Sequence, residues 1–105
     1  MNIVGIAACT AGIAHTYIAK EKLINAAKKK GHHIRIETQG LAGTQGELPK
    51  SEIEKADIVI IAADIKINGK ERFKGKKVVE VATGIAVKSP GKLMEKLEEL
   101  VNDKQ

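Results

Sequence analysis

The chain has 105 residues, with 18 lysines and arginines against 13 acidic residues, and its formal net charge is +5. This length fits one domain over residues 1–105, and no apolar run approaches the roughly 20 residues that a membrane-spanning helix needs. A positive charge could point to nucleic acid, but one tyrosine, one phenylalanine and no tryptophan leave no aromatic platform for bases, so we expect no nucleic-acid partner.

The only cysteine, Cys9, bears on the cellular compartment. One cysteine cannot form an internal disulfide, and a free thiol is typical of proteins in a reducing cytoplasm. The sequence also enters an apolar run at once, without the charged segment and apolar region of a secretory signal. We therefore expect a cytoplasmic location.

The first elements in chain order are a strand and a helix. Residues 3–8 are almost all apolar, which is typical of a strand covered on both faces. Residues 16–30 carry a narrow apolar stripe and end in three lysines, where cations complement the helix dipole. Gly31 then provides a C-terminal stop, so the sequence predicts a helix over 16–30.

The next stretch predicts a second strand and a loop. Residues 33–38 alternate, with Ile34, Ile36 and Thr38 on one side and polar residues, including Glu37, on the other. Such alternation is typical of a half-exposed strand, here at a sheet edge. Residues 39–46 contain three glycines and are expected to form a mobile loop.

The second half of the chain predicts further alternation of helices and strands. Its predicted elements are a short helix opened by a capping box at 51–54, a wholly apolar strand at 58–63, one helical turn at 70–74, a short edge strand at 78–81 and a helix opened by Ser89-Pro90.

This order of elements predicts an α/β fold. We expect a single domain with an open four-stranded parallel sheet, in the order 2-1-3-4, flanked by helices on both faces. The first and third strands are then central, and the topological switch point of the sheet lies between them. Ligands of such sheets bind at the carboxyl ends of the strands beside the switch. Cys9 leaves the first strand there, and Asp64 leaves the third.

Small residues follow Cys9 at the point where the strand ends and the helix begins. Backbone N–H groups in such a loop can form an anion-binding nest, to which a helix N-terminus adds positive charge. That field favours the thiolate form of a cysteine. The pattern indicates phosphoryl chemistry with Cys9 as nucleophile, although a lone cysteine after a strand can also be an inert core residue. The predicted phosphate-binding loop comprises Thr10, Ala11, Gly12, Ile13, Ala14, His15 and Thr16.

Three classes of function compete for this loop. A cysteine-dependent phosphatase needs an arginine six residues after the cysteine to hold the phosphate, and His15 stands there. A flavodoxin-like module could hold the phosphate of FMN, with only Tyr17 and Phe73 available to stack on the flavin ring. A phosphoryl carrier needs the amide nest without the arginine clamp, because water then attacks the bound phosphoryl group less readily.

At this loop the chain resembles the fructose-type IIB components of the bacterial phosphoenolpyruvate-dependent sugar phosphotransferase system. That family has Cys-Pro-Thr-Gly-Ile-Ala-His-Thr at the end of its first strand, and six of those eight residues are present at positions 9–16. The departures are Thr10 for proline and Ala11 for threonine. The segments that are also similar are Glu37-Thr38-Gln39-Gly40, Ala62-Ala63-Asp64 and Gly69-Lys70-Glu71-Arg72-Phe73.

The resemblance implies a specific role. Cys9 would take a phosphoryl group from a histidine of a IIA protein and pass it to a fructose-like sugar bound by a membrane IIC component. Because the chain has no membrane span, IIC and IIA are expected on separate polypeptides, with this protein docking to the membrane component from the cytoplasm. The resemblance implies neither cofactor nor metal.

Five other polar residues remain open at this point. His15 either tunes the bound phosphate or stabilises the loop. Glu37 and Asp64 border the site or, for Asp64, cap the turn that follows. His32, like its neighbour His33, is expected at an exposed strand entry. A zinc site with Cys9 is not expected, because the spacing matches no common zinc motif.

Overall fold

The computed structural model describes residues 1–9, 13–40 and 43–102, with residues 13–15 described by their backbone. The strands are β1 (Asn2–Ala8), β2 (His33–Gly40), β3 (Gly43–Gln45), β4 (Ile58–Ala63) and β5 (Val78–Val81). The helices are α1 (Ile13–Lys29), α2 (Lys50–Lys55), α3 (Thr83–Lys88) and α4 (Pro90–Asn102), with one 3₁₀ turn, Lys70–Phe73, between β4 and β5.

The strands form one mixed sheet in the order β3-β2-β1-β4-β5. β1 pairs in parallel with β2 and β4, and β4 pairs in parallel with β5. The predicted α/β class and the parallel order 2-1-3-4 are confirmed for β2-β1-β4-β5. The predicted count of four strands is wrong, because β3 adds an antiparallel edge strand beside β2.

The extra strand comes from the stretch predicted as a mobile loop. In the described residues, Gln39 pairs with Thr44 and Gly40 with Gly43 in a hairpin. Gly43 has a φ of 92° and Gly46 a φ of 63°, a backbone region that glycine enters without steric cost. Gly43 begins β3 and Gly46 directly follows it, and β2 is not the sheet edge that its alternation predicted.

The helices differ from the prediction in three places. α1 begins at Ile13 rather than at residue 16. α2 begins after Pro49 without a side-chain cap, so the predicted capping box is wrong. α3 was not predicted, because six residues are too few to show a helical period. The 3₁₀ turn and the start of α4 at Pro90 are as predicted.

Each face of the sheet has its own apolar core. On one face, alternate residues of β1 such as Ile3 and Ala7 pack with residues of α1, α3 and α4. On the other, Val4, Ile6 and Ala8 pack with residues of α2 and with Phe73 of the 3₁₀ turn. The central strands are therefore covered twice, which is why their sequences are continuously apolar. No helix within the described ranges is long and apolar enough to cross a membrane.

Gly5 lies in the middle of β1, and we expect Gly5→Ala to destabilise the sheet. An added Cβ would stand 2.6 Å from both Cγ2 and the carbonyl oxygen of Ile60, and 2.9 Å from Cδ1 of Ile36. The carbonyl cannot withdraw without disturbing the ladder, so the free energy of unfolding should fall by about 1–3 kcal/mol. Urea denaturation measures this change.

Gly91 provides the matched control for that substitution. It lies in α4, and an added Cβ there meets nothing within 4 Å. Gly91→Ala should leave stability unchanged or raise it by up to about 1 kcal/mol, because alanine favours helix. Equal stabilities of the two variants would contradict the packing argument.

Candidate active site at the carboxyl edge of the sheet

Cys9 directly follows β1, at the carboxyl ends of the parallel strands. Its neighbour Ala8 is flanked by Gln39 of β2 and Ala63 of β4. The chain leaves β1 towards β2 on one side and reaches β4 on the other, so this is the switch point of the sheet. Such a crevice is where open α/β sheets bind ligands. Cys9 itself is 3% exposed.

The predicted phosphate-binding loop falls into two parts. Thr10, Ala11 and Gly12 lie outside the described residues. Residues 13–16 form the first turn of α1 rather than loop, and Thr16 is buried. The first N–H groups of a helix have no intrahelical acceptor, and the positive end of the helix dipole lies there. The helix N-terminus is therefore at the edge that carries Cys9, as an anion nest requires.

The backbone at Cys9 lies between the ends of β2 and β4. On the β4 side, the N–H of Asp64 donates to the carbonyl of Ala8 at 3.0 Å. On the β2 side, a Cβ placed on Gly40 would lie 3.5 Å from the carbonyl oxygen of Cys9. The strand end that presents the thiol is therefore fixed by its two neighbours.

Asp64 also ties α3 to this edge. Its carboxylate accepts the N–H of Thr83 at 3.0 Å and the hydroxyl of Thr83 at 2.5 Å. Thr83 is the first residue of α3 and is 1% exposed. A carboxylate at a helix N-terminus satisfies its free N–H groups and its dipole. Asp64 thus borders the site, and it binds the N-terminus of α3, which follows nineteen residues later in the sequence.

A buried ion pair lies on the face of the sheet covered by the 3₁₀ turn. Glu37 is 1% exposed, and its carboxylate accepts two hydrogen bonds from Arg72, at 2.8 Å from Nη1 and 3.0 Å from Nη2. The N–H of Leu48 adds a third, at 3.0 Å. Burial raises the pKa of Glu37, but the bonds from Arg72, Gln39 and Leu48, with the charge of Arg72, outweigh it and hold that pKa below its usual value.

Glu37 is the residue that the alternating pattern misplaced. It was predicted to point outward from an edge strand, and the structure instead covers its face with Leu48 and with the turn that carries Arg72. A two-residue period tells which residues share a face, but not whether a distant segment covers it. The sequence contains one relevant signal. Glu37 and Gln39 share one face of the strand, and the segment 69–73 contains an arginine, Arg72, to which no sequence pattern assigned a role.

The other candidates do not join Cys9. His32 contacts Glu98, with 2.6 Å from Nε2 to Oε2, and His33 contacts Glu52 at 3.0 Å. Both histidines stand at the start of β2, at the opposite edge from Cys9, so the structure brings neither to the thiol. Phe73 is 2% exposed in the core and is unavailable to stack on a flavin ring.

Together the fold and the site define an α/β protein with a cysteine at the edge where open α/β sheets bind their ligands. Its sequence matches the family model described as "PTS system, Lactose/Cellobiose specific IIB subunit" over residues 4–96. The chain therefore belongs to the IIB family of the phosphoenolpyruvate-dependent sugar phosphotransferase system (PTS).

Individual relatives agree with this assignment. The chain is 45% identical over 97 residues to the "PTS system fructose-like EIIB component 2" of Escherichia coli K12, and the match covers 92% of each protein. It is 46% identical over 87 residues to the "PTS system fructose-specific EIIB'BC component" of Vibrio cholerae, covering 83% of this chain and 15% of that longer protein.

Solved structures give the same result. A domain of a fructose-specific component from Borrelia burgdorferi is 44% identical with a TM-score of 0.85, covering 90% of this chain and 89% of that one. The Enzyme IIB subunit of the PTS from E. coli K12 is 32% identical with a TM-score of 0.92, covering 99% and 96%. The resemblance predicted from the cysteine loop is confirmed, and the chain has a role in phosphoryl transfer during sugar uptake.

Proposed function

We propose that this protein is a phosphoryl carrier that takes a phosphoryl group from a IIA phosphohistidine onto Cys9 and passes it to a fructose-like sugar bound by a membrane IIC component. The observation that carries the proposal is the position of Cys9, at the switch point of the sheet and at the N-terminal end of α1. In a IIB family member, this thiol is the nucleophile best placed for the transfer.

The chemistry of the first step needs one bond formed and one broken. The Cys9 thiolate attacks phosphorus, the S–P bond forms, and the P–N bond to the donor histidine breaks with its electron pair returning to the imidazole. A thiolate needs no general base for this attack. We expect N–H groups of the first turn of α1 and of residues 10–12 to stabilise the charge on the transferring oxygens.

The second step reverses the role of sulfur. A sugar hydroxyl attacks phosphorus, the S–P bond breaks, and the thiolate is regenerated while the hydroxyl proton is lost to the IIC site or to water. Between the two steps the phosphocysteine must survive. His15, rather than the arginine with which a cysteine-dependent phosphatase holds phosphate, stands six residues after Cys9, so attack by water is not assisted there.

The partners follow from the chemistry and the relatives. Each turnover consumes one phosphoryl group, so a donor is needed, and the family resemblance implies that this donor is a phosphohistidine of a IIA protein. A IIC acceptor is supported by relatives in which B and C parts share one polypeptide, such as the EIIB'BC component of V. cholerae. We therefore place the protein at the cytoplasmic face of the membrane, docked to IIC, and the names of the relatives support a fructose-like sugar.

Reconstituted transfer tests this function. The protein is combined with a phosphorylated fructose-type IIA protein and membranes that contain the matching IIC, in the presence of EDTA, and sugar phosphate is measured for a panel of hexoses. We expect formation of sugar phosphate that depends on the protein and is strongest with fructose-like sugars. Release of phosphate from aryl phosphates without any labelled protein would instead identify a phosphatase.

A further inference from the structure

The side-chain amide of Gln39 connects two separate segments beside Cys9. Its Nε2 donates to the carbonyl of Asn68 at 2.9 Å, and its Oε1 accepts the N–H of Asn68 at 2.8 Å. The amide thus pairs with the backbone of Asn68 as another strand would. Gln39 is 5% exposed, so these bonds are shielded from competing water.

This connection joins segments that lie on the two sides of the end of β1. Gln39 stands opposite Ala8 in the register of β2, and Asn68 belongs to the segment that leaves β4, on the other side of β1. The same segment begins with Asp64, whose N–H holds the carbonyl of Ala8 at 3.0 Å. Gly40, next to Gln39, approaches the carbonyl of Cys9. The two segments that fix the backbone at Cys9 are therefore joined to each other through one amide.

Glu37 and Arg72 hold that amide in place. The second N–H of Gln39 Nε2 donates to Oε2 of Glu37 at 2.7 Å, which fixes the orientation of the amide. Arg72, bound to Glu37, also donates from Nε to the carbonyl of Gly69 at 2.7 Å and from Nη2 to that of Asn68 at 3.3 Å. Both ends of the connection are thus anchored by charge-assisted bonds.

We infer that Gln39 is a positioning residue for phosphoryl transfer: its amide holds residues 64–69 against β2, and so keeps the end of β1 and the Cys9 thiol in the geometry of attack. The inference rests on the proposed function. Transfer requires the thiolate in line with the breaking bond, and a displacement of about 1 Å can cost a factor of about 100 in rate. An ordinary stabilising contact has no reason to affect the rate of a protein that remains folded.

The experiment separates the rate of transfer from binding of the donor. Single-turnover transfer from phosphorylated IIA is followed by rapid quench at rising donor concentrations, for the parent and for Gln39→Leu, which removes all three bonds. We expect the limiting rate constant to fall by about 10- to 100-fold, with the half-saturating donor concentration changed by less than about twofold. Gln39→Asn keeps a polar amide but shortens it, and serves the same test where Gln39→Leu does not fold.

Ile53→Val controls for lost stability. Ile53 lies on α2, in the apolar core of the sheet face that carries Gln39, and is outside this network. The variants are compared at equal fractions folded. We expect the limiting rate of Ile53→Val to stay within about twofold of the parent. An unchanged rate in the folded Gln39 variant, an equal loss in Ile53→Val, or a loss only in donor affinity would overturn the inference. If the parent itself acquires no phosphoryl group, the proposed function fails first and this inference falls with it.

Discussion

Cys9→Ser is expected to lower phosphoryl transfer from IIA by roughly a thousandfold or more, because it removes the nucleophile itself. A serine hydroxyl is far less acidic than a thiol, and the mechanism assigns no residue to take its proton. The measurement is the initial rate of label incorporation from phosphorylated IIA, with EDTA present so that no metal assists the hydroxyl.

Two controls make this result specific to the nucleophile. Thermal unfolding is measured to establish that the serine variant is folded, because a hydroxyl that replaces a thiol at a site 3% exposed should lower stability somewhat. His15→Ala should reduce the rate much less if His15 only tunes the bound phosphate. A serine variant that accepts label as fast as the parent would remove Cys9 from the mechanism.

The second large effect concerns the buried ion pair. Arg72→Met is expected to lower the free energy of unfolding at pH 7 by about 3 kcal/mol, because it leaves the Glu37 carboxylate buried without its cation. The matched control is Lys70→Met in the same 3₁₀ turn. Lys70 pairs with Glu80, and both side chains are 55% exposed, so that change should cost less than about 1 kcal/mol.

The dependence on pH distinguishes a lost ion pair from lost packing. In the parent the pKa of Glu37 is lowered, so its contribution is fully present above its unfolded value of about 4.3 and is lost as pH falls through the lower folded value. In Arg72→Met the bonds and charge of Arg72 are lost, while burial and the bonds from Gln39 and Leu48 remain, so the pKa of folded Glu37 should rise above that in the parent and less stability should be lost as pH falls. The difference between the two proteins should therefore shrink from pH 7 towards pH 4.

Removing both charges provides the decisive comparison for this pair. Glu37→Gln in the Arg72→Met background should recover much of the lost stability, since a neutral amide costs far less to bury than a carboxylate. A pH-independent loss, with no recovery in the double variant, would show that Arg72 contributes only packing.

The sequence was sufficient to predict the centre of the fold and insufficient for its periphery. The two continuous apolar runs, 3–8 and 58–63, have one physical explanation, which is burial on both faces, and they are β1 and β4. Strand β3 at 43–45 lies in a glycine-rich stretch, whose composition predicts a loop rather than a strand. Helix α3 is fixed by the contact of Asp64 with Thr83, a long-range interaction that no local pattern contains.

The same division applies to the site. The position of Cys9 could be predicted because a strand end, small residues and a helix start are local features. The network of Glu37, Gln39, Asn68 and Arg72 could not, because its members come from two segments about thirty residues apart. Each of them has an ordinary solvent-exposed interpretation when only its neighbours in sequence are considered, and only the tertiary fold brings them to one face.

The measurement that tests the central claim most directly is the location of the phosphoryl group. The protein is phosphorylated by IIA, quenched, digested and mapped by tandem mass spectrometry under conditions that preserve S–P and N–P bonds. We predict one phosphoryl group, on Cys9, which leaves the peptide when the matching IIC membranes and sugar are added before the quench. A phosphoryl group on His15 or on any residue other than Cys9, or none at all, would contradict the account.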